Sequence, residues 1–306
     1  MRWVCLKNEE RLLVRPFGQV NVLGVGVHVV DMTSAALLCE RQIRSGRKGY
    51  VCLIGVHGIM EAQRDLSLKS VFAEALLVAP DGMPTVWMGR LQGFTTMERV
   101  FGPDLMADII GCAEFRNCVH FFCGGGPGVA ERLREEMLRR FPGVRIAGTY
   151  SPPFRPMTPL EERELEAKVR SVQPDIIWVG LSTPKQERFM ARYLPMLDTK
   201  LMIGVGAAFL FHTGAIKDSP QWVKQAGMQW LHRLLQEPSR LWKRYLINNP
   251  RFIFYSSLQL FGIKHYPLKT TSKPSQPHSY DLNQVDSNLS SETISPLSPT
   301  SFRGNQ

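Results

Sequence analysis

Pro174-Asp-Ile-Ile-Trp-Val-Gly-Leu-Ser-Thr-Pro-Lys-Gln-Glu187 is the stretch that decides the fold. Residues 176–179 form a short apolar run, the pattern of a strand buried on both faces. The run stops at Gly180, and Ser182, Thr183, Lys185, Gln186 and Glu187 crowd in directly after it. Open α/β sheets bind their ligands in the crevice beyond the carboxyl ends of the strands. This strand therefore delivers polar side chains to the place where a ligand sits. A helix start, with Thr183 at the N-cap and Pro184 at N1, accounts for two of the residues. It leaves Ser182, Lys185, Gln186 and Glu187 as candidate ligand contacts.

Working outward, apolar runs alternate with helical patterns. Residues 22–30 read as a first strand and 32–43 as a helix. Residues 50–56 read as a second strand, with a helix from Ile59. Further strands fall at 76–79, 119–123, 144–148, 176–179 and 201–205, and a helix at 129–140. Repeated strand-then-helix order predicts an α/β fold: Rossmann-like, with a largely parallel sheet and helices on both faces. The core spans residues 1–220. A basic, aromatic, helical segment follows at 221–266, and a Ser-, Pro- and Asn-rich tail at 267–306 is expected to be disordered. The 221–266 segment carries Trp222, Trp230, Trp242 and Tyr245, with Lys224, Arg233, Arg240, Lys243, Arg244, Arg251 and Lys264 against the single acid Glu237. Pro238 and Pro250 are expected to break it into short helices. Such a segment suits an anionic membrane surface or a phosphate-bearing partner, or it is a solvated basic helix packed on the sheet.

The 306-residue chain has a formal charge of +10 and is 44% hydrophobic. That charge points to a polyanionic partner, but no known DNA- or RNA-binding motif is present, so nucleic acid is not expected. The six cysteines lack C-x-x-C spacing, which predicts reduced thiols rather than a disulfide framework or a zinc site. Residues 1–14 carry charges throughout and predict no signal peptide, and no apolar stretch is long enough to span a bilayer. Nothing in the sequence sets an oligomeric state.

Gly124-Gly-Gly-Pro-Gly128 lies between a strand and a helix, where Gly124, Gly126 and Gly128 let backbone N–H groups approach an anion. A dinucleotide fingerprint starting at Gly124 needs glycine at 129, which is Val129, and no Walker lysine follows. A tight turn explains the glycines almost as well. Asp81-Gly82 follows a strand, where a carboxylate serves either as a general base or as an Asx turn. On those residues alone the turn is the better reading. Arg99 is a candidate for a bidentate phosphate contact, and Asp104 caps the helix expected at 105–112. No D-x-D pair, H-E-x-x-H or Cys/His cluster occurs, so no metal and no cofactor is expected. A leaving phosphate would then be neutralised by arginines, lysines and helix N-termini.

Asp81-Gly-Met, Glu98-Arg99 with Gly102-x-Asp104, the glycine turn at 124–128, Pro184-Lys-Gln-Glu187, Gly204-Val-Gly206 and Trp230-x-x-Arg233-Leu-x-x-Glu237-Pro-x-Arg240 stand in this order. Over roughly residues 20–250 the chain resembles the WecG/TagA/CpsF glycosyltransferases. The resemblance implies an inverting, metal-independent enzyme at the cytoplasmic face of a bacterial membrane. Its donor would be a UDP-sugar of the N-acetylmannosamine type, and its acceptor a saccharide on a polyprenyl diphosphate. It makes Asp81 the catalytic base and turns Arg99 and Gln186 toward the donor. It also lets the basic segment close the site, with His57, Arg233, Arg240 and Arg244 on the acceptor or the diphosphate. Where the family commonly has Thr-x-Asn, this chain has Leu53 and Gly55, and the loss of Asn removes a sugar contact. The family's Phe-Asp is Phe209-Leu210 here, and Gln229 stands for a Glu. Those departures keep open a catalytically silent UDP-sugar or lipid-surface binder of the same fold. A Rossmann oxidoreductase is the weaker alternative.

Overall fold

The computed structural model describes residues 17–268 of the chain. The charged stretch 1–14, Cys5 and the tail from 269 onward lie outside them. Eight strands are labelled in chain order: β1 (Gln19–Val22), β2 (Val25–His28), β3 (Gly49–Ile54), β4 (Leu77–Pro80), β5 (Val119–Gly124), β6 (Arg145–Tyr150), β7 (Ile176–Gly180) and β8 (Leu201–Gly204). The last six form one parallel sheet in the order β4-β3-β8-β7-β5-β6. The α/β expectation holds.

Helices cover both faces. On one lie α1 (Met32–Arg44), α5 (Gly102–Gly111) and α6 (Val129–Arg140). On the other lie α2 (Val56–Arg64), α3 (Leu66–Glu74), α7 (Pro159–Val172) and α8 (Lys185–Tyr193). The continuous apolar run of β7 follows from this layering. Ile176 and Trp178 enter the first core, and Ile177 and Val179 enter the second. A strand alternates its side chains, so burial on both faces requires every position to be apolar. The remaining helices are α4 (Met83–Leu91), α9 (Ala208–His212), α10 (Gln221–Gln225), α11 (Gln229–Gln236) and α12 (Pro238–Leu260). Cys39, Cys52, Cys112, Cys118 and Cys123 are free thiols, all buried.

The crossover from β3 to β4 moves toward one edge of the sheet, and that from β5 to β6 toward the other. Diverging connections of this kind open a crevice at the carboxyl ends of the central strands. The loops after β3, β4, β5, β7 and β8 all emerge at that end.

Several local expectations are corrected. The single strand expected at 22–30 is an antiparallel hairpin, β1 paired with β2 and separate from the main sheet. Its two-residue turn is Leu23-Gly24, at φ 51 and 80. Positive φ at both positions is the turn geometry that matches strand twist. Leu23 accepts that conformation because its side chain is fully buried. Thr183 is not an N-cap: α8 begins after Pro184, and the Thr183 hydroxyl donates to Glu187 Oε1 at 2.8 Å instead of accepting from the helix. Asp104 lies inside the first turn of α5, whose N-cap is Phe101. Pro250 does not break the C-terminal helix. It sits inside the 23-residue α12, where Phe252 and Ser256 beyond it are buried and hold the second half in place.

The C-terminal arm is tied to the rest of the molecule. Helix α12 packs along α2. At its far end Gln259 Nε2 donates to Asn21 O at 2.8 Å and Gln259 Oε1 accepts from Leu23 N at 2.9 Å. Asn21 Nδ2 donates to Tyr266 O at 2.7 Å. No described helix is long and apolar enough to cross a membrane.

Candidate active site

Asp81 stands immediately after β4, its N–H bonded to Ile54 O at 2.9 Å, so two adjacent strands fix its backbone. Arg99 lies beside it: Nε donates to Asp81 O at 2.9 Å, and Nη2 is 3.8 Å from Oδ1. The Arg99 guanidinium also donates to Gln229 Oε1 and lies over the Phe101 ring, 4.2 Å from its centroid. Arg99 thus joins the base of the crevice to the start of α11. Burial pushes the Asp81 carboxyl up to about 6, against the opposing pull of Arg99, Arg233 and Arg244. A carboxylate in that range is poised to take a proton near neutral pH.

Asp81, Arg99, Arg233, Arg240 and Arg244 line one cavity together with His57, Ser182 and Gln186. Four guanidinium groups therefore face a single lining carboxylate. Arg233 and Arg240 share Glu237, at 3.1 and 2.6 Å. Among the described residues no carboxylate pairs with Arg244, and its Nε is buried without a hydrogen-bond partner. Burial, then the positive charge of Arg233 and Arg240, pushes its guanidinium down from the ordinary value. Buried cations are normally paired, so this arrangement is suited to a dianionic group such as a diphosphate. Among the described residues no three His, Cys, Asp or Glu side chains gather as a metal centre needs.

A second, more apolar cavity adjoins the first, with Ser182, Thr183, Gly206, Ala207 and Arg240 shared between them. Gly126, Lys185, Phe154 and Leu210 line it. Gly124 and Gly128 line neither cavity. A Cβ on Gly124 would lie 2.7 Å from the Gly180 backbone, so this glycine permits β5 and β7 to close at their ends. Gly128 is the N-cap of α6, in the left-handed region at φ 77. Lys185 is exposed, with Nζ donating to Phe154 O at 3.2 Å.

Gln186 and Glu187 are buried in the wall of the site. Gln186 Oε1 accepts from Gly206 N at 2.9 Å, and its Nε2 donates to Glu187 Oε1 at 3.1 Å. The carboxyl of Glu187, raised by burial, also accepts from Thr183. Glu187 lines neither cavity. Together the pair braces the β7 loop against the β8 loop. Gln186→Ala should accordingly lower stability by about 1–3 kcal/mol, the cost of leaving buried polar partners unsatisfied. Lys185→Ala should leave stability unchanged. Urea unfolding of both variants checks this, and equal midpoints would refute the brace.

Gln229, Tyr245 and Asn248 line the first cavity and were not singled out as site residues from the sequence. The available signal was spacing: Arg240, Arg244 and Asn248 recur every four residues, on one face of α12.

The Glycosyl transferase WecG/TagA/CpsF family model matches residues 20–265. An N-acetylglucosaminyldiphosphoundecaprenol N-acetyl-beta-D-mannosaminyltransferase of Bacillus spizizenii is 29% identical over 193 residues, covering 63% of this chain and 72% of that protein. A protein of the same description from Bacillus subtilis is 29% identical over 186 residues, 60% of this chain and 70% of the relative. The matched segment contains the whole parallel sheet, the Asp81 crevice and the arginines of α11 and α12. This chain belongs to the WecG/TagA/CpsF family and is a glycosyltransferase.

Proposed function

We propose that this glycosyltransferase moves an N-acetylmannosamine-type hexose from a UDP-sugar to a saccharide carried on a polyprenyl diphosphate, inverting the anomeric centre without a metal. The observation that carries the reading is Asp81, raised to about 6, beneath four arginines of which Arg244 has no carboxylate partner among the described residues. Asp81 takes the proton of the acceptor hydroxyl as that oxygen attacks the anomeric carbon. The bond to the diphosphate oxygen breaks on the opposite face. Arg244, Arg240 and Arg233 hold the negative charge that develops on the leaving diphosphate, the work a divalent ion does in metal-dependent enzymes. The adjoining apolar cavity, with Gly126, Ser182 and Lys185 at its edge, takes the nucleoside end of the donor. The names of the two Bacillus relatives support both the sugar and the lipid-linked acceptor.

A peripheral position on the cytoplasmic face of the membrane fits the C-terminal arm. Trp222, Ile253, Phe254, Phe261 and Ile263 are all exposed there, beside Lys243 and Arg251. Apolar side chains interleaved with cations are the signature of an interfacial helix. The test is a panel of UDP-sugars titrated by calorimetry, followed by transfer to a lipid-diphosphate acceptor in vesicles with and without excess EDTA. Transfer from a UDP-N-acetylhexosamine that persists in EDTA is expected. Activity abolished by EDTA and restored by Mg²⁺ or Mn²⁺ would overturn the metal-free mechanism, and binding without turnover would favour a silent binder.

A further inference from the structure

His57 lines the arginine-rich cavity, yet its Nδ1 is engaged by protein. Asn248 of α12 lies 3.1 Å from Nδ1 through its Nδ2. The same Asn248 accepts from Arg64 Nη2 through Oδ1 at 3.0 Å. A guanidinium only donates, so Arg64 fixes which end of the Asn248 amide carries oxygen. The NH2 end then faces His57, and an NH2 also only donates. Nδ1 must therefore carry the lone pair, which leaves the ring proton on Nε2. Both bonds run in one direction, from Arg64 through Asn248 to His57.

We propose that Arg64 and Asn248 are positioning residues that hold His57 as the neutral Nε2–H tautomer and set α12 so that Arg240 and Arg244 overhang Asp81. This rests on reading the cavity as the diphosphate site. Arg240, Arg244, Asn248, Phe252 and Ser256 are spaced four apart on one face of α12, and the last three are buried. Asn248 is the first buried anchor after the two arginines and one turn from Arg244, roughly 6 Å along the axis. A shift of the helix there moves both guanidinium groups, and misplacement by about 1 Å can cost about a hundredfold in rate. The charged groups facing His57 agree with a neutral ring. Glu61, on its own helix, has Oε1 at 3.8 Å but pairs with Arg64 at 2.6 Å. From α12, Arg244 opposes a second positive charge, and burial with Arg244 pushes the imidazole down to about 3. Protonation would also set an N–H against the Asn248 NH2. His57 thus ties α2 to α12 and does not shuttle protons.

The experiment is nitrogen-15 NMR of the histidine rings in the full chain, paired with kinetics and calorimetry using inorganic diphosphate. In the wild type His57 should show the Nε2–H tautomer without titrating between pH 5 and pH 8. Asn248→Asp supplies a carboxylate that accepts Nδ1–H and so favours the imidazolium. Its titration should rise by two pH units or more, and turnover of this variant should fall as pH passes that new value. Arg64→Ala, at a half-exposed position, frees the Asn248 amide to turn; it should lower kcat/KM about tenfold and weaken diphosphate binding. Asn248→Ala should do so by about a hundredfold. An Nδ1–H tautomer, a wild-type ring titrating near 6.5, or wild-type diphosphate affinity in Arg64→Ala would overturn the proposal. The ring signals need no substrate, so failure of the relay is distinguishable from failure of the glycosyltransferase reading.

Discussion

Asp81→Asn should lower kcat by about two to four orders of magnitude, the range for a positioned general base, while the protein becomes more stable at neutral pH. The two effects share one cause. Burial raises the Asp81 carboxyl from 3.8 to about 6, so ionisation is harder in the folded chain than in the unfolded one. A carboxyl raised in this way contributes stability below its unfolded value, and that contribution is lost as pH rises from about 4 through about 6. At pH 7.5 the native protein carries the full penalty and the Asn variant carries none. The side chain is 35% exposed to the crevice, so solvent reduces the gain below what a fully buried group would give. The same value sets the pH profile. In the free enzyme kcat/KM should decline about tenfold per pH unit below 6, as the base becomes protonated. Thermal unfolding with initial rates from pH 5 to pH 8.5 checks all three points. A variant with near-normal kcat would leave Asp81 as the Asx turn that its sequence also allows.

The parallel sheet was legible because its strands are buried on both faces, and such burial writes unbroken apolar runs such as Ile176 to Val179. The hairpin was not, because Leu23 is an apolar residue in a left-handed turn conformation that glycine or asparagine usually marks. Its burial offsets the backbone cost, and tertiary packing of that kind leaves no local signature. The loop after β7 was found for its position, but the roles within it separate only in three dimensions. Lys185 points outward, whereas Gln186 and Glu187 face each other and Gly206 within the wall. Asn248 shows the same limit. Its importance comes from Arg64 and His57, more than 180 residues earlier in the chain, and a single sequence carries no sign of such a pairing. The arginines at 233, 240 and 244 were visible as charge, but the unpaired state of Arg244 depends on where Glu237 directs its carboxylate.

That unpaired arginine gives the other large effect. Arg244→Met should lower kcat/KM by about a hundred- to a thousandfold, the cost of removing one donor aimed at charge that develops in the transition state. Stability should not fall. Removing one partner of a buried ion pair strands the other, but Arg244 has no carboxylate partner to strand, and its Nε lies buried without a hydrogen bond. Burial and the repulsion of Arg233 and Arg240 already work against its charge. A bound diphosphate reverses that balance, since it supplies the acceptors that the protein withholds. Inorganic diphosphate should therefore raise the melting temperature of the wild type and do so much less for Arg244→Met. Arg244→Lys should recover only part of the rate, because an ammonium lacks the planar fork that grips two phosphate oxygens at once. Vesicle binding should be the same in all three proteins if Arg244 faces the crevice rather than the lipid. A Met variant with full turnover but weakened vesicle binding would move Arg244 out of the active site and onto the membrane surface.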